Sequence, residues 1–353
     1  MIRRALGVGV LAVLLATGVA LAASGPTGPR LAVLKASLKP PRLELVSLGP
    51  TGGIAVRLAG GGRRARPYLD VFSPLSWSAD GESVAFGGVV GFRTGDDHEP
   101  IQKIFIVGAD GSGLRAIPGT KGGGGPILSP DGRTVAFTRA IDREAPTTID
   151  GKRWEGGFHG ASIWTADLGT GAQRQLTPWR DELRYAATSF SPDGSTLLAT
   201  HEDPLLLKES EPVALALDGS GSRRLFDDGF SPVYSPDGSQ VAFARNIREY
   251  RKGGGENTDL FVVRADGSGL RRLTRTPELT ELFPAWDPSG ERLAYVRLPA
   301  NRSEEAIFGY RTPLMEINAD GSCPTKVVSA PGTYFFSPAW QPGPDRGAGR
   351  IEC

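Results

Sequence analysis

Apolar and polar positions alternate along this chain in short runs, and the runs come in sets. The clearest set lies between Ser231 and Thr274. Val241, Phe243, Leu260, Val262 and Leu270 alternate with smaller or polar residues, the two-residue period of a half-buried strand. Two turns punctuate the set. Ser235-Pro236-Asp237-Gly238 combines a proline that presets φ, an aspartate that bonds nearby backbone and a glycine that accepts φ > 0. Ala265-Asp266-Gly267-Ser268-Gly269 is an Asp-Gly turn of the kind that joins hairpin strands. The pattern predicts four short strands, with the first turn between strands one and two and the second between strands three and four.

The set repeats. First-turn glycines fall at Gly81, Gly132, Gly194, Gly238 and Gly290, and second-turn glycines at Gly111, Gly169, Gly219, Gly267 and Gly321. A repeat of about 50 residues with four strands per unit predicts a β-propeller. Two half-units flank the five full ones. Residues 31–58 read as strands around a Gly49–Gly53 turn and lack an opening strand. Phe335-Phe336-Ser337-Pro338-Ala339-Trp340 repeats Leu282-Phe283-Pro284-Ala285-Trp286 and supplies one. The expected fold is therefore all-β: a six-bladed propeller of four-stranded blades over residues 31–343, with N- and C-terminal strands sharing one blade and removing two open sheet edges. A seventh blade would need strands from residues 59–76, a stretch rich in glycine and arginine.

The units resemble the TolB-like propeller repeat: an apolar-aromatic strand ending in Tyr234-Ser235-Pro236-Asp237-Gly238, the strand Val241-Ala242-Phe243, and an aliphatic strand running into Ala265-Asp266-Gly267-Ser268-Gly269 and Arg271-Arg272-Leu273-Thr274. The resemblance implies a propeller, and it is the propeller alone that carries over. It departs from TolB itself, which carries an α/β domain before its propeller, where this sequence has only a few dozen residues.

Targeting follows from the N-terminus. Arg3 and Arg4 precede an apolar stretch, Ala5 to Val19, and Ala20-Leu21-Ala22 is a small-residue cleavage site. Residues 1–22 are expected to be a signal peptide, with a retained anchor as the alternative. Residues 23–30 read as a disordered lead-in and 344–353 as a C-terminal tail. The expected location is periplasmic, cell-envelope or extracellular, with no membrane span after cleavage. Export also permits a bridge between the two cysteines, Cys323 and Cys353, rather than two free thiols.

Charge and chemistry narrow the function. Lys+Arg 40 against Asp+Glu 39 gives a net charge of +1, without the basic footprint of a nucleic-acid binder. No cofactor motif is present, and Asp96-Asp97-His98-Glu99 lacks the alternating oxygen spacing of a calcium loop. Aspartates of the repeated turns read as caps of their own backbone. The long, non-repeating segments between strands two and three are Gly87–Gln102, Arg139–Gly160, His201–Pro212, Arg245–Thr258 and Leu298–Thr312. They share one face, where binding is expected. Candidate contacts are Trp154, Phe158 and His159, which could alternatively pin their loop to its own blade, Tyr250 and Arg251, and the inter-blade pair Arg180 and Asp181. Glu278–Glu281 is expected near the channel mouth. The resulting expectation is a monomeric, non-catalytic binding or scaffold protein whose partner is an envelope or extracellular protein, a small ligand or a glycan. The alternative is a propeller hydrolase, lyase or glycosidase with its site at the channel mouth. A prolyl-oligopeptidase-type hydrolase would need a Gly-x-Ser-x-Gly elbow and a histidine after it. That elbow is missing, and the last histidine is His201.

Overall fold

The computed structural model describes residues 30–38, 41–61, 67–70, 73–90, 101–143, 147–149, 152–154, 158–177, 184–202, 210–247, 257–299, 312–330, 332–343 and 349–353. These residues form an all-β protein. Strands β1 (Leu31–Leu38), β2 (Pro41–Leu48) and β3 (Ile54–Gly61) make an antiparallel run. The next group holds β4 (Tyr68–Leu69) and β5 (Ser76–Trp77), both paired with β6 (Ser83–Val90), then β7 (Ile101–Gly108) and β8 (Arg115–Ala116). The second full unit contains β9 (Gly123–Leu128), β10 (Thr134–Arg143), β13 (Phe158–Asp167) and β14 (Gln173–Gln175). A separate hairpin, β11 (Thr147–Ile149) and β12 (Lys152–Trp154), stands between its middle strands.

Three units of plain four-strand order follow. They are β15 (Arg184–Phe190), β16 (Thr196–Glu202), β17 (Glu211–Ala216) and β18 (Ser222–Arg224); β19 (Phe230–Tyr234), β20 (Gln240–Ile247), β21 (Asn257–Arg264) and β22 (Arg271–Arg272); and β23 (Leu279–Trp286), β24 (Arg292–Pro299), β25 (Leu314–Asn318) and β26 (Thr325–Val328). The last strand, β27 (Thr333–Trp340), returns to pair antiparallel with β1, Leu31 opposite Trp340 and Ser37 opposite Thr333, so the order of that sheet is β27-β1-β2-β3. The C-terminal strand is therefore innermost in the blade that the N-terminal strands complete.

The core shows how these groups are arranged. Buried apolar side chains fall into clusters, and each cluster joins two neighbouring groups. Leu34, Leu45 and Leu58 pack with Trp77, Val84 and Phe86. Ile104 and Ile106 pack with Val135 and Phe137, and Ile127 and Ile163 with Leu197 and Val213. Leu198 and Leu225 meet Phe243 and Phe261, Leu260 and Val262 meet Trp286 and Tyr295, and Ala294 and Val296 return to Val33 and Val46. Such faces bury their apolar side chains only against the next sheet, so the sheets are driven to stack face to face. The last cluster brings the stack back to its first member, closing a ring of blades.

The repeated motifs explain themselves here. In the first turns Ser78, Ser129, Ser191 and Ser235 donate to Asp80, Asp131, Asp193 and Asp237 at 2.5–2.6 Å. Each serine Oγ also accepts a backbone N–H five residues on. In the Arg-Arg-Leu-Thr stretch, Arg271 Nη2 donates to the Ala319 carbonyl of the next blade at 2.8 Å, Leu273 is core, and Thr274 Oγ accepts from Leu260 N. Arg174 and Arg223 make the same blade-to-blade clasp on the Leu217 and Ala265 carbonyls.

Two expectations change. In the divergent second unit, Gly171 rather than Gly169 takes positive φ, 72°, because that turn is one residue longer. The segment expected as a loop over 139–160 contains the ends of β10 and β13 and the β11–β12 hairpin. The C-terminal residues are held to the fifth full unit where they are described. Ile351 N donates to Asn318 Oδ1, Asn318 Nδ2 donates to the Ile351 carbonyl, Arg350 pairs with Asp320, and Cys323 and Cys353 are bridged with Cα atoms 5.4 Å apart.

Candidate functional site

The first strands of the blades face the ring axis, and almost all of them break their ladder in the same way. Register shifts lie between Phe230 and Val233, between Leu282 and Ala285, between Ala187 and Ser189, and opposite Ala136–Thr138 in β9; β27 shifts against β1 at Ala32–Leu34. At four of these bulges the backbone is left-handed: Gly125 at φ 62°, Ser231 at 51°, Phe283 at 57° and Ser337 at 48°. A proline follows each, Pro126, Pro232, Pro284 and Pro338. The proline bars the right-handed helical region to the residue before it, and the bulge bars the fully extended one. Glycine accepts the remaining conformation freely; serine and phenylalanine adopt it at roughly 1–2 kcal/mol each. The shared outcome is a strand that turns its side chains toward the axis.

The bulges of β15, β19, β23 and β27 border a cavity of about 510 Å³. Pro74 and Leu75, Ala186 to Thr188, Phe230, Val233 and Tyr234, Phe283 to Trp286, and Ser337 to Ala339 line it. The wall is mostly proline, alanine and aromatic, with hydroxyls from Thr188, Thr200, Ser210, Ser231 and Ser337. Ser337 is 3% exposed, and its Oγ, closed to solvent, has no hydrogen-bond partner among the described residues. Burial raises the Tyr234 phenol above its ordinary value, so its neutral form prevails in the wall.

Charged side chains meet outside that lining. Between the fourth and fifth full units, Arg272 Nε donates to Asp259 Oδ2 at 2.6 Å, Thr276 Oγ to Glu281 Oε1 at 2.6 Å and Arg297 Nε to the same oxygen at 3.1 Å. Arg297 Nη2 also meets the Tyr295 hydroxyl at 3.0 Å. Glu281 is fully buried, and desolvation pushes its carboxyl up to about 7 despite the Thr276 hydrogen bond and the nearby Arg297. The expectation of Glu281 as a channel-mouth charge is thus corrected: its carboxylate is consumed by an inter-blade network because its register partner, Arg297, reaches it across the β23–β24 ladder. On the third unit, His201 stacks on Tyr185, ring centroids 4.6 Å apart, with Nδ1 3.8 Å from Glu211. Among the described residues no group of three or more His, Cys, Asp or Glu is placed to hold a metal ion.

Of the residues singled out by sequence, Trp154 ends β12 opposite Thr147, whereas Phe158 and His159 open β13 opposite Arg143 and Asp142. Trp154 and the Phe158–His159 pair thus belong to different ladders. Arg180, Asp181, Tyr250 and Arg251 lie outside the described residues. The channel-lining bulges were not singled out, although Pro-Val-Tyr, Pro-Ala-Trp and Pro-Ala-Trp at 232–234, 284–286 and 338–340 carry their signal.

No family model matches the chain. The Tol-Pal system protein TolB of Anaeromyxobacter dehalogenans strain 2CP-C is 34% identical over 137 residues, 36% of this chain and 27% of that protein. The match thus spans about a quarter of the relative's length. Among solved structures, TolB from Acinetobacter baumannii superposes with a TM-score of 0.64 at 19% identity, over 89% of this chain and 67% of that one. The protein assigned as TolB from Agrobacterium tumefaciens does so with a TM-score of 0.54 at 15% identity, over 90% and 99% of the two chains. By recurring motif and by closed ring alike, the chain is a β-propeller similar in fold to TolB.

Proposed function

We propose that the protein is an exported, non-catalytic binding module of the cell envelope, which engages a partner protein on the face where the connections between second and third strands emerge. One observation carries this reading. The second and third strands of the five full units pair so that every such connection leaves at the same end: after Val90, Arg143, Glu202, Ile247 and Pro299. The short Asp-Gly turns occupy the other end. A rigid ring that presents non-repeating segments together on one face is a recognition scaffold. The kinship with proteins named for the Tol-Pal system supports an envelope partner and a periplasmic location. Propellers host catalysis as well as binding, so the fold alone does not choose; the apolar channel wall favours recognition. Among the described residues no helix is long and apolar enough to cross a membrane.

On this reading Trp154, Phe158, His159, Arg180, Asp181, Tyr250 and Arg251 are the contact residues. The test is capture from envelope extract by the mature protein, compared with a variant in which residues 144–157 are replaced by a short glycine turn. Capture of a discrete partner that is lost in the variant supports the proposal. Capture that survives the replacement, or no capture by either protein, overturns it.

A further inference from the structure

We infer that the channel is itself a binding site, for one small, uncharged, largely apolar molecule. This rests on the reading of the protein as a binding module and names a second ligand class for it. Three observations converge. The cavity, about 510 Å³, falls in the size range of ligand pockets, roughly 300–1,000 Å³, and is walled by apolar and aromatic side chains with a few hydroxyls. Ser231, Phe283 and Ser337 all hold left-handed backbone at the wall, and strain of this kind concentrates where a site is shaped for a ligand. Tyr234 is the titratable side chain among the described lining residues, so a charged ligand would lose its hydration there with no opposite charge to meet it.

The same wall disfavours a peptide. Extended segments join proteins by adding to an open strand edge. Here the inner edges carry Pro232, Pro284 and Pro338 at their bulges, each without an N–H to offer, and the bulges bend the edge out of register. A compact molecule needs no such ladder.

The probe is prodan, a neutral naphthalene carrying a carbonyl, titrated into the full mature protein and followed by its emission. One saturable site with blue-shifted emission is expected. The anionic naphthalene dye anilinonaphthalene sulfonate should bind at least about tenfold more weakly, because its sulfonate would enter unpaired. Ala285→Leu and Ala339→Leu narrow the channel and should abolish prodan binding while the melting temperature and far-ultraviolet spectrum hold. The comparison of prodan with the sulfonate on the wild-type protein decides the matter if the leucine variants do not fold. Absence of a saturable site, equal binding of the sulfonate, or prodan affinity unchanged in folded leucine variants overturns the inference. If prodan fails while the loop-dependent partner capture persists, this inference falls and the binding-module reading stands. If capture fails while prodan binds as expected, the reverse holds.

Discussion

Trp77 Nε1 donates to the carbonyl of Ala339 at 3.0 Å, joining the first full blade to the last strand of the chain. Trp286 makes the corresponding bond to Val233 at 3.2 Å, between two blades in the middle of the sequence. The seam where the ring closes is thus bonded like an ordinary blade interface. Gln341 reinforces it, with its N–H on the Arg30 carbonyl and its side chain on Gly81.

Removing residues 337–353 should therefore open the ring. It strips β1 of its pairs with Ala339 and Trp340 and Trp77 of its acceptor, and the uncovered end of the β1 edge becomes a template for other copies. Size-exclusion chromatography with light scattering should show self-association, and calorimetry a lowered melting temperature. A monomer of unchanged melting temperature would refute closure. The milder Trp77→Phe should destabilise by about 1 kcal/mol through the lost hydrogen bond.

The Cys323–Cys353 bridge closes a segment with a sequence separation of 30. Its removal in Cys353→Ser should destabilise the fold by about 3–4 kcal/mol in the chain-entropy model, read as a shift of the denaturant midpoint. Thiol titration of the denatured, unreduced protein should find no free cysteine. Cys323 also sits at φ 54°, where the sister turns have Gly113, Gly221 and Gly269. Without the bridge, Cys323→Gly should therefore be more stable than Cys323→Ser by about 1 kcal/mol, since glycine adopts that conformation freely.

Glu281 predicts a loss of stability on the alkaline side of its range. Its folded carboxyl is raised to about 7, chiefly by desolvation, above the value near 4.5 of an exposed glutamate. A raised carboxyl contributes stability in full below the unfolded value, and that contribution is lost as pH rises toward 7. Chemical denaturation between pH 4.5 and 7 should show wild-type stability falling relative to Glu281→Gln, which keeps the contact with Thr276 and does not titrate. Parallel curves for the two proteins would contradict the assignment.

The first-turn aspartates act in the opposite sense. Hydrogen bonds from Ser78, Ser129, Ser191 and Ser235 hold Asp80, Asp131, Asp193 and Asp237 below the ordinary carboxylate range. Depressed carboxyls contribute stability above their unfolded value, about 3.9, and lose it as pH falls through the folded one. Replacing all four by asparagine should lower stability at neutral pH and shrink the difference from wild type below pH 4. A difference that stayed constant into acid would show the turns are held by shape alone.

Much of this molecule is local chemistry and is therefore visible in its residues. Period-two alternation and the Ser-Pro-Asp-Gly and Asp-Gly-Ser-Gly turns each act within a few positions, and their recurrence near every 50 residues marked the units, so together they specified the strands, their hairpins and the half-units at 31–58 and 335–343. What needed the ring was every relationship between distant positions. Glu281 reads as a surface charge until Arg297, Thr276 and Asp259 are brought around it. Ser337 reads as another strand serine until the ring buries its hydroxyl. The turns and strands follow from backbone preferences that each residue carries with it. The channel and its apolar wall exist only because sheets with one buried face must stack on one another, and the closed stack leaves its inner edges around an axis that no local stretch of sequence encodes.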